Sequence, residues 1–326
     1  MSFKKIWKNE KGATAALAAV AFTAIAALSG LVVDLGIVYI EGSSMQNAAD
    51  AAAYAAAPLL PIYTSDSNET QNAQSVATTY TTRNSIESET IEGIELSDVV
   101  NGRYTSLKVT LNDQVPYNFG PIVGLQGADV TKSAKVQLEA ATSCSKMVPL
   151  GTTKTQFHLA MVANGAQNVI VKYGSGDGET GFFGALDLDG VKGGGAKDFA
   201  TWLEFGYDGV LNIGDILPVE TGNMTGPTTS AFTARYSQCT HFPSQGGCNA
   251  DHYNPDCARV VYLLIYEMVD IHTVQIYGFV PFVLVGTDGN GEVIASHIDV
   301  YVNQGESTEL DENNIYYGMY RVRLTE

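Results

Sequence analysis

The most reactive side chains are four cysteines, Cys144, Cys239, Cys248 and Cys257. The last three are spaced with eight residues between neighbours. In an exported chain such thiols can pair, and four of them allow three connectivities. The first expectation is one disulfide bridging the loop from Cys239 to Cys257. It would stabilise a long Gly- and Pro-bearing loop by constraining the unfolded chain. His241 and His252 lie in the same stretch, so zinc ligation is the alternative. That stretch has no Cys-x-x-Cys pair and follows no known finger spacing. The disulfide therefore ranks first, and no metal or cofactor is assigned.

Acidic residues offer a second chemistry. Asp177-Gly178-Glu179 and Asp187-Leu188-Asp189-Gly190 could give oxygen ligands to calcium. Neither follows the twelve-residue calcium loop with its closing Glu. In Gly-rich sequence such acids more often build turns. Gly193-Gly194-Gly195-Ala196-Lys197 lacks the order of a phosphate-binding loop. No Gly-x-Ser-x-Gly elbow occurs. The five histidines, His158, His241, His252, His272 and His297, are scattered. No catalytic residues are assigned, and the chain reads as a non-enzyme.

Charge narrows the partners. The formal net charge is −17 over 326 residues. Residues 1–12 carry Lys4, Lys5, Lys8 and Lys11 against Glu10, a local +3, so the remainder carries −20. A surface that acidic does not suit a phosphate backbone, which argues against nucleic acid. Charged residues make up only 16% of the chain, below the roughly 25% of ordinary soluble domains. That profile suits exported β-rich modules.

The elements that must position these groups begin with a membrane span. Ala13 to Val33 is a run of 21 uncharged residues, enough to cross a hydrocarbon core of about 30 Å as a helix. The preceding lysines place the N-terminus in the cytoplasm and the rest outside. The apolar run resumes beyond Asp34 to Ile40, longer than the apolar region of a cleaved signal. Asp34 is expected at the outer edge of the bilayer, reaching water, with an intramembrane partner contact as the alternative. Gln46–Ala57 (QNAADAAAYAAA) has very high helix propensity. Pro58 and Pro61 end the helix there.

Beyond Pro61, Asn68 and Gln71 suggest a capping box. Ala73, Val76, Ala77 and Tyr80 then follow at helical spacing, predicting a helix near residues 69–84. Strands are expected at Ile91–Val100 and Arg103–Leu111 around the hairpin turn Asn101-Gly102, and again at Val130–Leu138. From about Met147 the composition shifts toward Gly clusters. A helix is predicted near Ala196–Phe205, and strands at Val260–Glu267, Thr273–Val285 and Glu292–Val302. Asp288-Gly289-Asn290-Gly291 reads as the last tight turn. No internal repeat is visible.

Three pieces in order carry a resemblance. They are Asn9-Glu10-Lys11-Gly12-Ala13, then Val33-Asp34-Leu35-Gly36 after the apolar run, then QNAADAAAYAAA. Over roughly residues 8–57 the chain resembles the N-terminal segment of TadG-like proteins of the Flp (tight adherence) pilus system. Residues 115–141 resemble that family's Val-Pro-x-x-Phe stretch. Gly181–Gly190, Asn212–Pro227, Ala258–Ile265 and Tyr277–Gly286 resemble a domain that follows the anchor in some TadG-like proteins. Prepilin-type processing between Gly12 and Ala13 is what the resemblance implies. Pilin-like relatives carry Glu five residues after the processed Gly, whereas this chain has Leu17. The metal-binding Asp-x-Ser-x-Ser motif of some relatives is absent, and its ligands are not carried over.

The expected architecture is α+β in three parts. Residues 1–57 form a basic tip, a transmembrane helix and its extension. Residues 58–146 form a pilin-like helix-plus-antiparallel-sheet module, and 147–326 a β-rich exported domain. The expected function is non-covalent scaffolding in a Flp-type pilus apparatus at the cell membrane. Its partners would be the lipid bilayer, pilus-assembly or pilin proteins, and in one arrangement a second copy of the chain. The alternatives are a surface-displayed adhesin, with the Cys239–Cys257 loop as recognition surface, and an exported enzyme.

Overall fold

The structure is a computed structural model describing residues 10–84, 90–172, 184–190, 195–219, 225–287, 293–302 and 305–325. The calcium candidate at Asp177–Glu179, the Asp288–Gly291 turn and the Gly12–Ala13 side chains fall outside what it describes. The fold is α+β, as the sequence predicts. The chain divides into two compact units, residues 1–137 with 324–326, and residues 138–323.

The first unit opens with α1 (Glu10–Ala56), a single helix of 47 residues. Its stop is the Pro58 turn, where residues Ala57–Leu59 tighten into a 3₁₀ turn with proline in its first positions. A short strand β1 (Ile62–Tyr63) leads to α2 (Ser67–Asn84). The cap of α2 lies upstream of the predicted Asn68. Asp66 Oδ1 accepts the N–H groups of both Asn68 and Glu69 at 3.0 Å. The buried face of α2 is Ala73, Ala77 and Thr81, while Tyr80 is exposed. The period was therefore right and its phase wrong by one residue at the end.

Strands β2 (Thr90–Val100) and β3 (Arg103–Pro116) form the expected hairpin. Asn101 and Gly102 both have positive φ, 50° and 74°, the backbone that a two-residue turn of this hand requires. β4 (Gly127–Ala141) pairs antiparallel with β3 from Ser106↔Gln137 to Pro116↔Gly127. β1 also pairs with β3. α1 and α2 cover this sheet.

The Ala-rich end of α1 is the packing surface. Ala48, Ala49, Ala52, Ala53 and Ala56 are fully buried, at the spacing of one helical stripe. Their small side chains let the α2 alanines approach closely. Helix propensity alone explains why this run is helical; its burial explains why it is alanine.

The second unit holds the end of β4 together with β5 (Ser143–Cys144), β6 (Met147–Thr153) and α3 (Lys154–Asn164). Next come β7 (Val169–Lys172), β8 (Gly184–Ala185) and α4 (Gly195–Phe205). β9 (Leu211–Asn212), β10 (Ile216–Pro218) and α5 (Thr225–Ser237) follow. Then come β11 (Val260–Met268), β12 (Thr273–Thr287), β13 (Val293–His297) and β14 (Val300–Tyr301). The unit ends with β15 (Ser307–Glu309) and β16 (Met319–Leu324). The central sheet runs β7-β13-β12-β11-β6-β8. Its heart is the long β11–β12 hairpin, paired from Val260↔Val283 to Met268↔Val274.

Alternation along β11 sorts its two faces. Val261, Leu263 and Ile265 join Phe157, Phe199 and Phe232 from α3, α4 and α5 in one core. Leu264 and Tyr266 join Leu186, Leu217 and Phe279 in the other. A sheet apolar on both faces must be covered on each; α3, α4 and α5 cover the first, and the segments bearing Leu186, Leu188, Leu211 and Leu217 cover the second.

Glu139 gives this unit a pH-dependent contact. Burial opposes its ionisation, yet a hydrogen bond from Ser307 and the Arg323 guanidinium 3.0 Å away outweigh it and hold its carboxyl below the usual 4.5. A depressed folded pKa stabilises above the unfolded value and is lost as pH falls through the folded one. Glu139→Gln is therefore expected to lower the melting temperature at neutral pH. In thermal scans, that gap should close once the pH drops well below 4.5.

Candidate functional site

The first half of α1 is bare. Every described side chain from Thr14 to Ser29 is exposed or nearly so, including Leu17 (71%) and Phe22 (75%). The segment has a mean hydropathy of 2.3 over its most apolar window. By length and composition it is long and apolar enough to cross a membrane. Thr23 Oγ1 donates to the Ala19 carbonyl at 2.9 Å, a bond made inside the helix with no need of water.

Packing begins at Gly30 and Asp34, one turn apart on one face. Both receive the loop after β3. Asp34 is 1% exposed. Its Oδ1 accepts the Asn118 N–H at 2.8 Å, and its Oδ2 accepts the Phe119 and Gly120 N–H groups at 3.0 and 2.6 Å. Thus Asp34 does not reach water as the sequence suggested, nor does it await a partner within the membrane. It is satisfied by its own chain, 84 to 86 residues away. A buried carboxylate with several N–H donors is affordable at a position where an unpaired one is not.

Gly30 allows this approach. A Cβ built there would lie 2.6 Å from Phe119 Cβ. Gly30→Ala is expected to lever the loop off the helix, at a cost of about 1–3 kcal/mol from overpacking. Faster proteolytic cutting between residues 117 and 126 would report it.

The loop held by Asp34 exposes Phe119, Ile122, Val123 and Leu125. Ile122 is 78% exposed. These apolar tips sit beside the point where the bare half of α1 ends.

The cysteines occupy the second unit. No disulfide joins any of the four in the structure. Cys144 lies in β5, opposite Leu211 of β9. Burial pushes its thiol up to about 12. The other three converge with His241. Their sulfurs and one imidazole nitrogen all lie within 4.8 Å of one another. His252 is not in that group. Its ring leans on Phe242 at 6.1 Å instead.

The remaining candidates have structural roles. Asp187 Oδ1 accepts the N–H groups of Asp189 and Gly190 at 3.3 and 3.2 Å, a turn as expected. His297 lies in β13, edge-on to Phe157 and Phe282. His158 lines a cavity of about 400 Å³ with Lys154, Thr155 and Glu267, and among the described residues no Ser or Cys lines it.

Asp34 and Gly30 were visible in the sequence only as oddities of an apolar run. Their partner loop could not be paired with them from spacing, because the contact is non-local. For the cysteine group, residue types pointed to the stretch, but spacing did not select His241 over His252.

No curated protein and no solved structure matches the chain. The bare helix and its packed continuation coincide with a family match. Residues 12–57 match the family described as Putative Flp pilus-assembly TadE/G-like, which supports involvement of this chain in Flp pilus assembly.

Proposed function

We propose that this chain is a single-pass membrane protein that acts as a non-covalent scaffold in a Flp-type pilus apparatus. Its basic tip faces the cytoplasm, and both compact units lie outside. The observation that carries the reading is the coincidence of the matched segment, residues 12–57, with a helix apolar in its first half and packed in its second. One helix thereby couples the bilayer to a folded unit without a hinge. The lysines at 4, 5, 8 and 11 set the orientation.

The bare stretch from Thr14 to Ser29 spans about 24 Å at the rise of a helix, short of the roughly 30 Å hydrocarbon core. The exposed loop tips at Ile122, Val123 and Leu125 make up the difference by entering the interface beside α1. On this reading Ile122→Asp weakens membrane retention. Partners are pilus-assembly or pilin proteins, met by the exported units. No catalytic group is required.

Deleting the coding sequence tests the proposal. The mutant should lose Flp-type pili and surface adherence. Restoring the full chain should recover both, and restoring a chain without residues 14–57 should not. Normal piliation in the deletion strain would overturn the reading.

A further inference from the structure

Three thiols and one imidazole gather near the start of β11. Cys239 follows α5, and Cys257 leads into β11. Between them the chain makes a 3₁₀ turn at Pro243–Gln245 and two left-handed glycines, Gly246 and Gly247 (φ 77° and 100°). That path brings Cys248 back against Cys239. Gly247 is obligatory for a second reason: a Cβ there would lie 2.5 Å from the Arg259 guanidinium.

Four observations converge. First, three sulfurs and one His241 nitrogen share a sphere within 4.8 Å. Tetrahedral zinc with bonds of about 2.3 Å to sulfur sets ligand separations near 3.8 Å, so small side-chain rotations close the site. Second, His241 Nδ1 is buried without a hydrogen-bond partner, an arrangement that calls for a ligand. Third, each sulfur accepts a backbone N–H at 3.4 Å: Cys248 N–H to Cys239, Asn254 N–H to Cys248, and Arg259 N–H to Cys257. Fourth, two buried arginines frame the group. Arg259 donates to the Gly246 and Cys248 carbonyls and lies 3.6 Å over the Tyr236 ring. Arg235 donates to the Leu203 carbonyl and, beside Cys257, to the Ala258 and Val260 carbonyls. Three thiolates with one divalent cation leave a net negative charge, which these guanidiniums offset. A disulfide between any two sulfurs would strand the third thiol and the imidazole.

We propose that Cys239, His241, Cys248 and Cys257 are the ligands of a structural zinc ion. Four protein ligands close the coordination sphere, leaving no position for substrate. Binding releases the thiol protons to solvent. The ion ties the loop between α5 and β11 to the small core of Val260, Val283, Ile298 and Val300. It does so with no dependence on the pilus reading.

The test uses the full chain without a histidine tag, purified in detergent under reducing conditions with zinc supplied during expression. Mass-spectrometric metal analysis should find about one zinc per chain. Cys248→Ser and His241→Ala should reduce retained zinc at least tenfold, and Cys144→Ser should retain it in full. The wild type exchanged with cobalt should show thiolate charge-transfer bands and tetrahedral ligand-field bands. Metal-free wild type with no such cobalt spectrum would overturn the proposal. So would a peptide from unreduced, envelope-derived protein that links Cys239 to Cys248 or Cys257, and so would zinc loss in Cys144→Ser.

Discussion

Replacing Asp34 with alanine is expected to release the loop after β3 and destabilise the first unit by about 4 kcal/mol. Three backbone N–H groups end on this carboxylate, and each buried donor left without a partner costs about 1–3 kcal/mol. Water reaches them only if the loop lifts, and lifting breaks the Phe119 contact at Gly30. The change should be read by amide exchange on the detergent-solubilised chain. Asn118, Phe119 and Gly120 are expected to exchange about a thousandfold faster, the ratio that corresponds to about 4 kcal/mol of local opening. Asp34→Asn keeps one acceptor oxygen and the shape, and its loss should be about 1–2 kcal/mol. Unchanged exchange in Asp34→Ala would remove the carboxylate clasp from the account.

The second large effect concerns lipid. Placing two carboxylates in the bare half of α1, by Phe22→Asp together with Ile25→Asp, should cost about 6 kcal/mol of membrane insertion, near 3 for each aspartate at depth. The native chain is expected in the pellet after alkaline extraction of membranes, and the double variant in the supernatant. Leu28→Val, which keeps the segment apolar, should behave as the native chain. Retention of the double variant would mean that something other than this helix holds the protein to the membrane.

Both effects rest on one helix, and much of that helix was legible. An uncharged run of 21 residues has few structural fates. Asn101-Gly102 named its hairpin because only residues tolerant of positive φ suit that turn. The β11–β12 pair was legible because a sheet buried on both faces reads as unbroken apolar sequence. Two helices were not. α3 does carry a signal, since Thr153 Oγ1 accepts the Gln156 N–H and Gly165 closes the far end at φ 67°. The helix is short, and its single buried aromatic, Phe157, gave little periodicity. The first turn of α5 carries Gly226-Pro227, which reads as a break, although proline is tolerated in a first helical turn.

The site was less legible than the fold, for one physical reason. Asp34 meets residues 118–120, and Cys239 meets Cys257, through contacts set by tertiary packing. Local spacing encodes caps, turns and stripes. It does not encode which distant backbone donors will satisfy a carboxylate, or which histidine a glycine turn will swing toward three sulfurs. The alanine stripe of α1 is intermediate: its period was readable, and its partner helix was not.

Orientation and anchoring together form the central claim, and protease access measures both at once. In cells whose outer envelope has been opened but whose inner membrane is intact, added protease should digest the chain beyond about Pro58 and leave a small membrane-bound fragment containing residues 14–33. A chain that stays whole under those conditions, and is cut only after the inner membrane is broken, would contradict the account.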